Sequence, residues 1–141
     1  MSGELVEKLK RRALVFLREA KRLLSDGEYG LACFNADQSL QLYLKAVILR
    51  LFGEMPRVHG VRELAGFLVR SFREAGYVGE ADLLEDFVRE RRYVLSVLED
   101  AYIDARYGLR DFSREEAEES YRAAENLIEL LRRIEDAVWM E

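Results

Sequence analysis

The segment 29–53 constrains the fold of this chain most, because its hydrophobic residues repeat with the period of a helix over many turns. The repeating positions are Leu31, Ala32, Ala36, Leu40, Leu44, Val47, Ile48 and Leu51. Aromatic side chains at Phe34, Tyr43 and Phe52 widen this stripe, so we expect the helix to contact neighbours on more than one side. Such a broad apolar face is typical of the central helix of a bundle.

Polar side chains interrupt the same helix, and two interpretations of them are open. They are Asn35, Asp37, Gln38, Gln41 and Lys45. Burial statistics favour a solvated face, because polar groups cost free energy in a core unless they are paired. The alternative is a polar seam that faces a ligand or a partner chain.

The rest of the chain also shows helical periodicity, with no strand-like alternation. The other predicted helices span residues 4–24, 61–76, 80–108 and 113–138. Ser113 and Glu116 have the spacing of a capping box at the start of the last helix. The sequence therefore predicts an all-α, up-and-down bundle of four long helices plus a shorter one, in a single domain of residues 1–141.

Composition excludes several classes of function. The net charge of −5 argues against a protein that coats nucleic acid generally. One cysteine and one histidine predict no internal disulfide, no metal site and no cofactor. The sequence contains no apolar run of membrane-spanning length and no secretory signal, so we expect a cytoplasmic protein. Arginine far outnumbers lysine and amides are scarce, which weakly indicates a thermophile.

The densest polar and aromatic cluster lies at residues 99–108, at the end of the predicted fourth helix. Tyr102 and Arg106 are four residues apart, and so are Asp100 and Asp104. Arg106 in the last turn could hold a phosphate through two hydrogen bonds, and a tyrosine could stack on a base. A salt bridge from Arg106 to either aspartate explains the spacing slightly better.

His59 is the single histidine and lies close to the N-cap of the predicted third helix. No acid–base partner stands near it in the sequence, so we expect a local hydrogen-bonding role rather than catalysis. A position beside Arg106 remains an alternative if the two turns share one end of the bundle.

Three segments together resemble the HEPN family (higher eukaryotes and prokaryotes nucleotide-binding). They are a Tyr-x-x-Ala-Cys-Phe-x-Ala-x-Gln helix, a His-x-x-x-x-Leu helix start and an Ala-Arg-Tyr segment late in the fourth helix. The matching residues are Tyr29, Ala32, Cys33, Phe34, Ala36 and Gln38, then His59 and Leu64, then Ala105, Arg106 and Tyr107. The resemblance covers about residues 5–135.

The resemblance implies a helical homodimer with a polar cleft between its subunits near the fourth helix. Many members of the family pair with a minimal nucleotidyltransferase as a toxin–antitoxin system. The active members are metal-independent ribonucleases, in which an arginine stabilises phosphate charge and a histidine shortly after it moves protons.

This chain departs from the ribonuclease pattern, because YGLRDF follows Arg106 and contains no histidine. We therefore predict a non-catalytic member that binds a nucleotide, RNA or a nucleotidyltransferase partner. The candidate nucleotide- and phosphate-binding residues are Tyr102, Asp104, Arg106, Tyr107 and His59, and no catalytic residue is assigned. One alternative is an active ribonuclease toxin that uses Arg106 with His59, Tyr102 or Asp104. Another is a purely structural dimeric module.

Overall fold

A computed structural model describes residues 2–105 and 107–140, and these residues form six helices and no strand. The helices are α1 Ser2–Ser25, α2 Tyr29–Phe52, α3 Val61–Glu74, α4 Val78–Glu90, α5 Arg92–Asp104 and α6 Arg114–Met140. The prediction of an all-α bundle is confirmed. Among the described residues, no helix is both long and apolar enough to cross a membrane.

Helix α2 lies at the centre, in contact with α1, α3, α5 and α6. Its side chains at Leu40, Leu44 and Ile48 are completely buried, as expected for a helix that is apolar around much of its circumference. Gly53 ends it in the left-handed conformation, with φ of 71°, and donates its N–H to the carbonyl of Leu49. The central position inferred from the apolar stripe is therefore confirmed.

The predicted fourth helix is two helices, so the prediction of four long helices and one shorter helix is wrong. Arg91 separates α4 from α5 with φ of −114° and ψ of 29°, outside helical geometry. No residue between Phe87 and Val94 is fully buried, so the core does not hold that stretch in line. Helix α4 packs mainly on α3, whereas α5 packs mainly on α2 and α6, and each half follows its own neighbours.

The start of α6 has the predicted capping box. The Glu116 N–H donates to Ser113 Oγ at 3.0 Å, and the Ser113 N–H donates to Glu116 Oε1 at 3.0 Å. The other Glu116 oxygen accepts hydrogen bonds from Arg110 and from the Tyr93 hydroxyl. Glu116 thus fixes both the helix start and the preceding connection to α5.

A buried carboxylate joins the three longest helices. Glu135 on α6 is 2% exposed and accepts hydrogen bonds from Lys10 of α1 at 2.8 Å and from Arg50 of α2 at 2.7 Å. A buried charge is tolerated only when it is paired and hydrogen-bonded in this way. The triad therefore sets the relative positions of α1, α2 and α6.

We predict that Glu135→Ala lowers the free energy of unfolding by about 3 kcal/mol, because it leaves two partly buried cations without their anion. Urea denaturation monitored by circular dichroism measures the loss. Glu129→Ala is the matched control, since the ion pairs of Glu129 lie on the exposed surface of α6 and contribute at most about 1 kcal/mol. Equal losses in the two variants would contradict a structural role for the buried triad.

Candidate functional site

The polar seam of α2 is buried at two of its positions, which contradicts the solvated-face interpretation there. Asp37 is 0% exposed and Gln41 is 4% exposed. Helix α5 packs on α2, and the charge of its residue Glu99 acts on Asp37. Gln41 Nε2 donates to Asp37 Oδ2 at 2.6 Å. Asp37 Oδ1 has no hydrogen-bond partner among the residues that the structure describes. A buried oxygen without a hydrogen bond costs free energy of folding, so its presence at this end of the seam indicates a functional group or a strained one.

Burial raises the pKa of Asp37 to about 7. The hydrogen bond donated by Gln41 lowers this pKa, and the negative charge of Glu99 on α5 raises it again. Near neutral pH the Asp37 carboxyl is therefore divided between its protonated and ionised forms. Such a group can both give and take a proton.

Lys45 lies one helical turn beyond Gln41 and connects the seam to His59. Lys45 Nζ is 3.3 Å from His59 Nδ1. An ammonium group only donates, so a hydrogen bond between these atoms has Nδ1 as its acceptor and leaves Nε2 as the ring nitrogen that can carry a proton. Burial lowers the pKa of Lys45. His59 itself is exposed and immediately precedes Gly60, the N-cap of α3.

The His59 ring stacks against Tyr102 of α5, with 6.5 Å between ring centroids and 24° between ring planes. Two predicted site residues that are distant in the sequence thus meet at one end of the bundle. Lys45 and Tyr102 are half-buried, so a ligand can reach this group from the side of the exposed imidazole. The arrangement combines a cation, a ring N–H donor and an aromatic face, which suits a phosphate with an attached base.

Arg62 and Glu99 form an ion pair next to the group of Lys45, His59 and Tyr102. Arg62 Nε and Nη2 donate to Glu99 Oε1 at 2.9 and 2.5 Å, and the Arg62 backbone N–H donates to Oε2 at 3.3 Å. A Cβ at Gly60 would lie 3.3 Å from Glu99 Oε2, so glycine permits this close approach. The pair connects the first turn of α3 to α5.

The carboxylate of Asp104 orders the chain that follows α5. Its Oδ1 accepts the backbone N–H groups of Leu109 at 2.9 Å and of Arg110 at 2.7 Å. Tyr107 is 65% exposed. Arg106, the central residue of the sequence prediction, lies outside the described residues, so its predicted salt bridge stays a prediction.

Arg110 is a further arginine of this segment, which the sequence did not single out as a site residue. It pairs with Asp100 at 2.9 Å and with Glu116 at 2.6 Å, and its guanidinium lies 4.4 Å from the centre of the Phe112 ring. The sequence contains a signal for these ion pairs, because Arg110 stands between the acidic end of α5 and the capping box of α6.

The structure thus brings His59 and Tyr102 together, with Asp104 and Tyr107 further along the same chain segment. Sequence reasoning placed Asp37 and Lys45 on a polar seam but did not select them as site residues, and it missed Glu99. Within residues 2–105 and 107–140, no group of three His, Cys, Asp or Glu side chains could hold a metal ion.

We predict that Asp37→Asn removes a pH dependence of stability. The folded-state pKa of about 7 lies above the ordinary value of 3.8, so the folded protein binds more protons between these values and Asp37 destabilises it as pH rises. Relative to the parent, the variant should therefore gain about 4 kcal/mol in free energy of unfolding between pH 4 and pH 8. Urea denaturation at both pH values measures this gain, and a difference independent of pH would contradict it.

No curated protein sequence matches the chain significantly. The family model of the HEPN domain matches residues 6–134, nearly the whole chain, in agreement with the resemblance that three segments of the sequence carry. HEPN domains often dimerise and bind nucleic acids. This protein belongs to the HEPN family.

Proposed function

We propose that this protein binds RNA or a nucleotide through the surface formed by Lys45, His59 and Tyr102, together with Arg106. The observation that carries the proposal is the stacking of His59 on Tyr102, with Lys45 at 3.3 Å from the imidazole. This contact brings the Lys45 ammonium and the His59 ring next to α5, and Arg106 follows α5 closely in the sequence. The family supports nucleotide- and RNA-related function in general.

The proposed ligand is recognised by its charge and its flat rings. Lys45 and the His59 Nε2–H would donate hydrogen bonds to phosphate oxygens. The exposed ring of Tyr107 offers a face on which a base can stack. Asp104 supports this contact indirectly, because its hydrogen bonds to two backbone N–H groups order the adjoining loop.

Binding without cleavage is the form of the proposal that the sequence favours. The family's ribonucleases use a histidine shortly after the arginine, and the YGLRDF that follows Arg106 contains none. A bound RNA would then contact groups that stabilise phosphate charge, but the histidine that moves protons in the family's ribonucleases would be missing from its usual position.

A second candidate is a metal-independent ribonuclease, favoured by the contact of His59 with Tyr102, four residues before Arg106. In this reaction Lys45 would leave His59 Nδ1 and bind the phosphate, and the freed Nδ1 would accept the proton of an RNA 2′-hydroxyl as its oxygen attacks the adjacent phosphorus. A 2′,3′-cyclic phosphate would form while the 5′-oxygen leaves and takes up a proton. The Arg106 guanidinium would stabilise the phosphate charge.

We predict that Arg106→Ala weakens binding of a labelled single-stranded RNA about tenfold, because a charged hydrogen bond to phosphate is lost. Tyr102→Ala should also weaken it about tenfold, because His59 loses the ring on which it stacks and its N–H donor is no longer held in position. Fluorescence anisotropy at low salt with EDTA measures the affinities, and a gel of the same samples measures cleavage. We expect no cleavage products.

Arg57→Ala is the matched control, since Arg57 is exposed, stands two residues before His59 and changes the net charge equally. Its affinity should stay within about twofold of the parent. If Arg106→Ala binds RNA as tightly as the control does, the proposed binding surface is wrong. Cleavage by the parent that disappears in His59→Ala would establish the ribonuclease instead.

We further propose that the protein is a homodimer and that a minimal nucleotidyltransferase is its toxin–antitoxin partner. The nucleotidyltransferase rests on the family resemblance alone. The homodimer is also supported by exposed apolar side chains beside the proposed site. Ile103, Tyr107 and Leu109 come from one short stretch of the chain and are 60%, 65% and 88% exposed. Large apolar side chains exposed near one another usually mark an interface.

We predict that the double variant Ile103→Glu, Leu109→Glu converts a dimer into monomers, because like charges would then face each other across the interface. Sedimentation equilibrium measures the mass. The control is Leu83→Glu, at a position on α4 that is also exposed. A monomeric parent, or a double variant that stays dimeric, would refute this interface.

A further inference from the structure

A groove of about 390 Å³ lies between α3 and the α4–α5 pair and collects four arginines. They are Arg62, Arg70, Arg89 and Arg92, and Glu85 is the single acidic residue among the groove's lining residues. Because the chain as a whole carries a net charge of −5, such a concentration of cations does not follow from composition. The groove is therefore a local positive surface on an acidic protein.

Two of these arginines carry the uncompensated charge. Arg62 is paired with Glu99, and Arg89 with Asp86. Arg70 and Arg92 are exposed, and their side chains form no ion pair or hydrogen bond with any residue in the described part of the chain. Glu85 does not neutralise them fully, because its carboxylate accepts a hydrogen bond at 3.0 Å from Arg73, outside the groove.

The floor of the groove is shaped by a glycine inside a helix. Gly66 lies in the middle of α3, where glycine destabilises a helix by about 1 kcal/mol relative to alanine. A Cβ at this position would lie 3.4 Å from Arg70 Nη1. The Arg70 guanidinium therefore lies over the backbone of α3 at Gly66, beside an apolar floor formed by Ala65, Val69 and Val88.

We propose that this groove is a binding site for an oligophosphate group, held chiefly by Arg70 and Arg92. Guanidinium groups match phosphate oxygens through paired hydrogen bonds, and an apolar floor strengthens these bonds by lowering the local dielectric constant. The groove's volume lies in the range of small-molecule sites. The site goes beyond the proposed function, because it uses neither the His59–Tyr102 stack nor Arg106.

The test is calorimetric titration of the protein with sodium tripolyphosphate at low salt in EDTA. We predict that the double variant Arg70→Gln, Arg92→Gln binds about a hundredfold more weakly than the parent, at about tenfold for each arginine. The matched control is Arg12→Gln, Arg122→Gln, which removes the same charge from exposed positions outside the groove. Its affinity should stay within about threefold of the parent.

A second variant tests the groove without changing charge. Gly66→Leu keeps all four arginines and uses a good helix former, so α3 should remain folded by circular dichroism. The added side chain should occupy the groove and weaken tripolyphosphate binding at least tenfold. Arg106→Ala should bind tripolyphosphate like the parent, so this site and the proposed RNA surface can fail separately.

The source of the phosphates is decided by a parallel titration with an oligouridylate RNA. Groove-dependent binding of tripolyphosphate identifies a free oligophosphate as the ligand class, and groove-dependent binding of the RNA alone identifies a nucleic-acid backbone. Either result supports the site. If the parent binds neither tripolyphosphate nor the RNA, or if the groove variant and its charge-matched control lose equal affinity, the site is overturned.

Discussion

Burial of α2 on several sides is the constraint on which the rest of this structure depends. Leu40, Leu44 and Ile48 are inaccessible to solvent, and α1, α3, α5 and α6 all contact this helix. A helix that is apolar around most of its circumference is stable in water only when neighbours cover it. The connections and the other helices are placed so that they provide this cover. The Lys10–Glu135–Arg50 triad then orients α1 and α6 on α2.

The same cover has an electrostatic consequence, because it also buries the polar residues of α2. Asp37 and Gln41 would be solvated on an isolated helix, but packing of the bundle buries both. Desolvation then raises the pKa of Asp37 to about 7, next to the charge of Glu99. The seam continues outward through Lys45 to His59 and reaches solvent there. A titratable buried end and an accessible cationic end thus belong to one helix face.

The beginning of α3 connects the two cationic surfaces of the molecule. His59 precedes this helix and meets Tyr102, whereas Arg62 in its first turn lines the arginine groove. Glu99 holds Arg62 against α5 through both the side chain and the backbone. Changes in the packing of α3 on α5 would therefore reach the proposed RNA surface and the groove together. The break at Arg91 contributes to this arrangement, since it allows α4 to follow α3 and form the far side of the groove.

The sequence by itself determined the all-α class, the positions of α1, α2, α3 and α6, the capping box of Ser113 and Glu116, the glycine end of α2 and the family resemblance of three short segments. These features depend on residues within a few positions of one another, and hydrophobic periodicity and capping are local. Only the tertiary structure decided that the helix predicted at 80–108 divides at Arg91, that Asp37 is buried, that His59 stacks on Tyr102 and that four arginines share a groove. Each of these depends on which helix covers which face. Contacts between distant segments decide that, and a local pattern does not contain them.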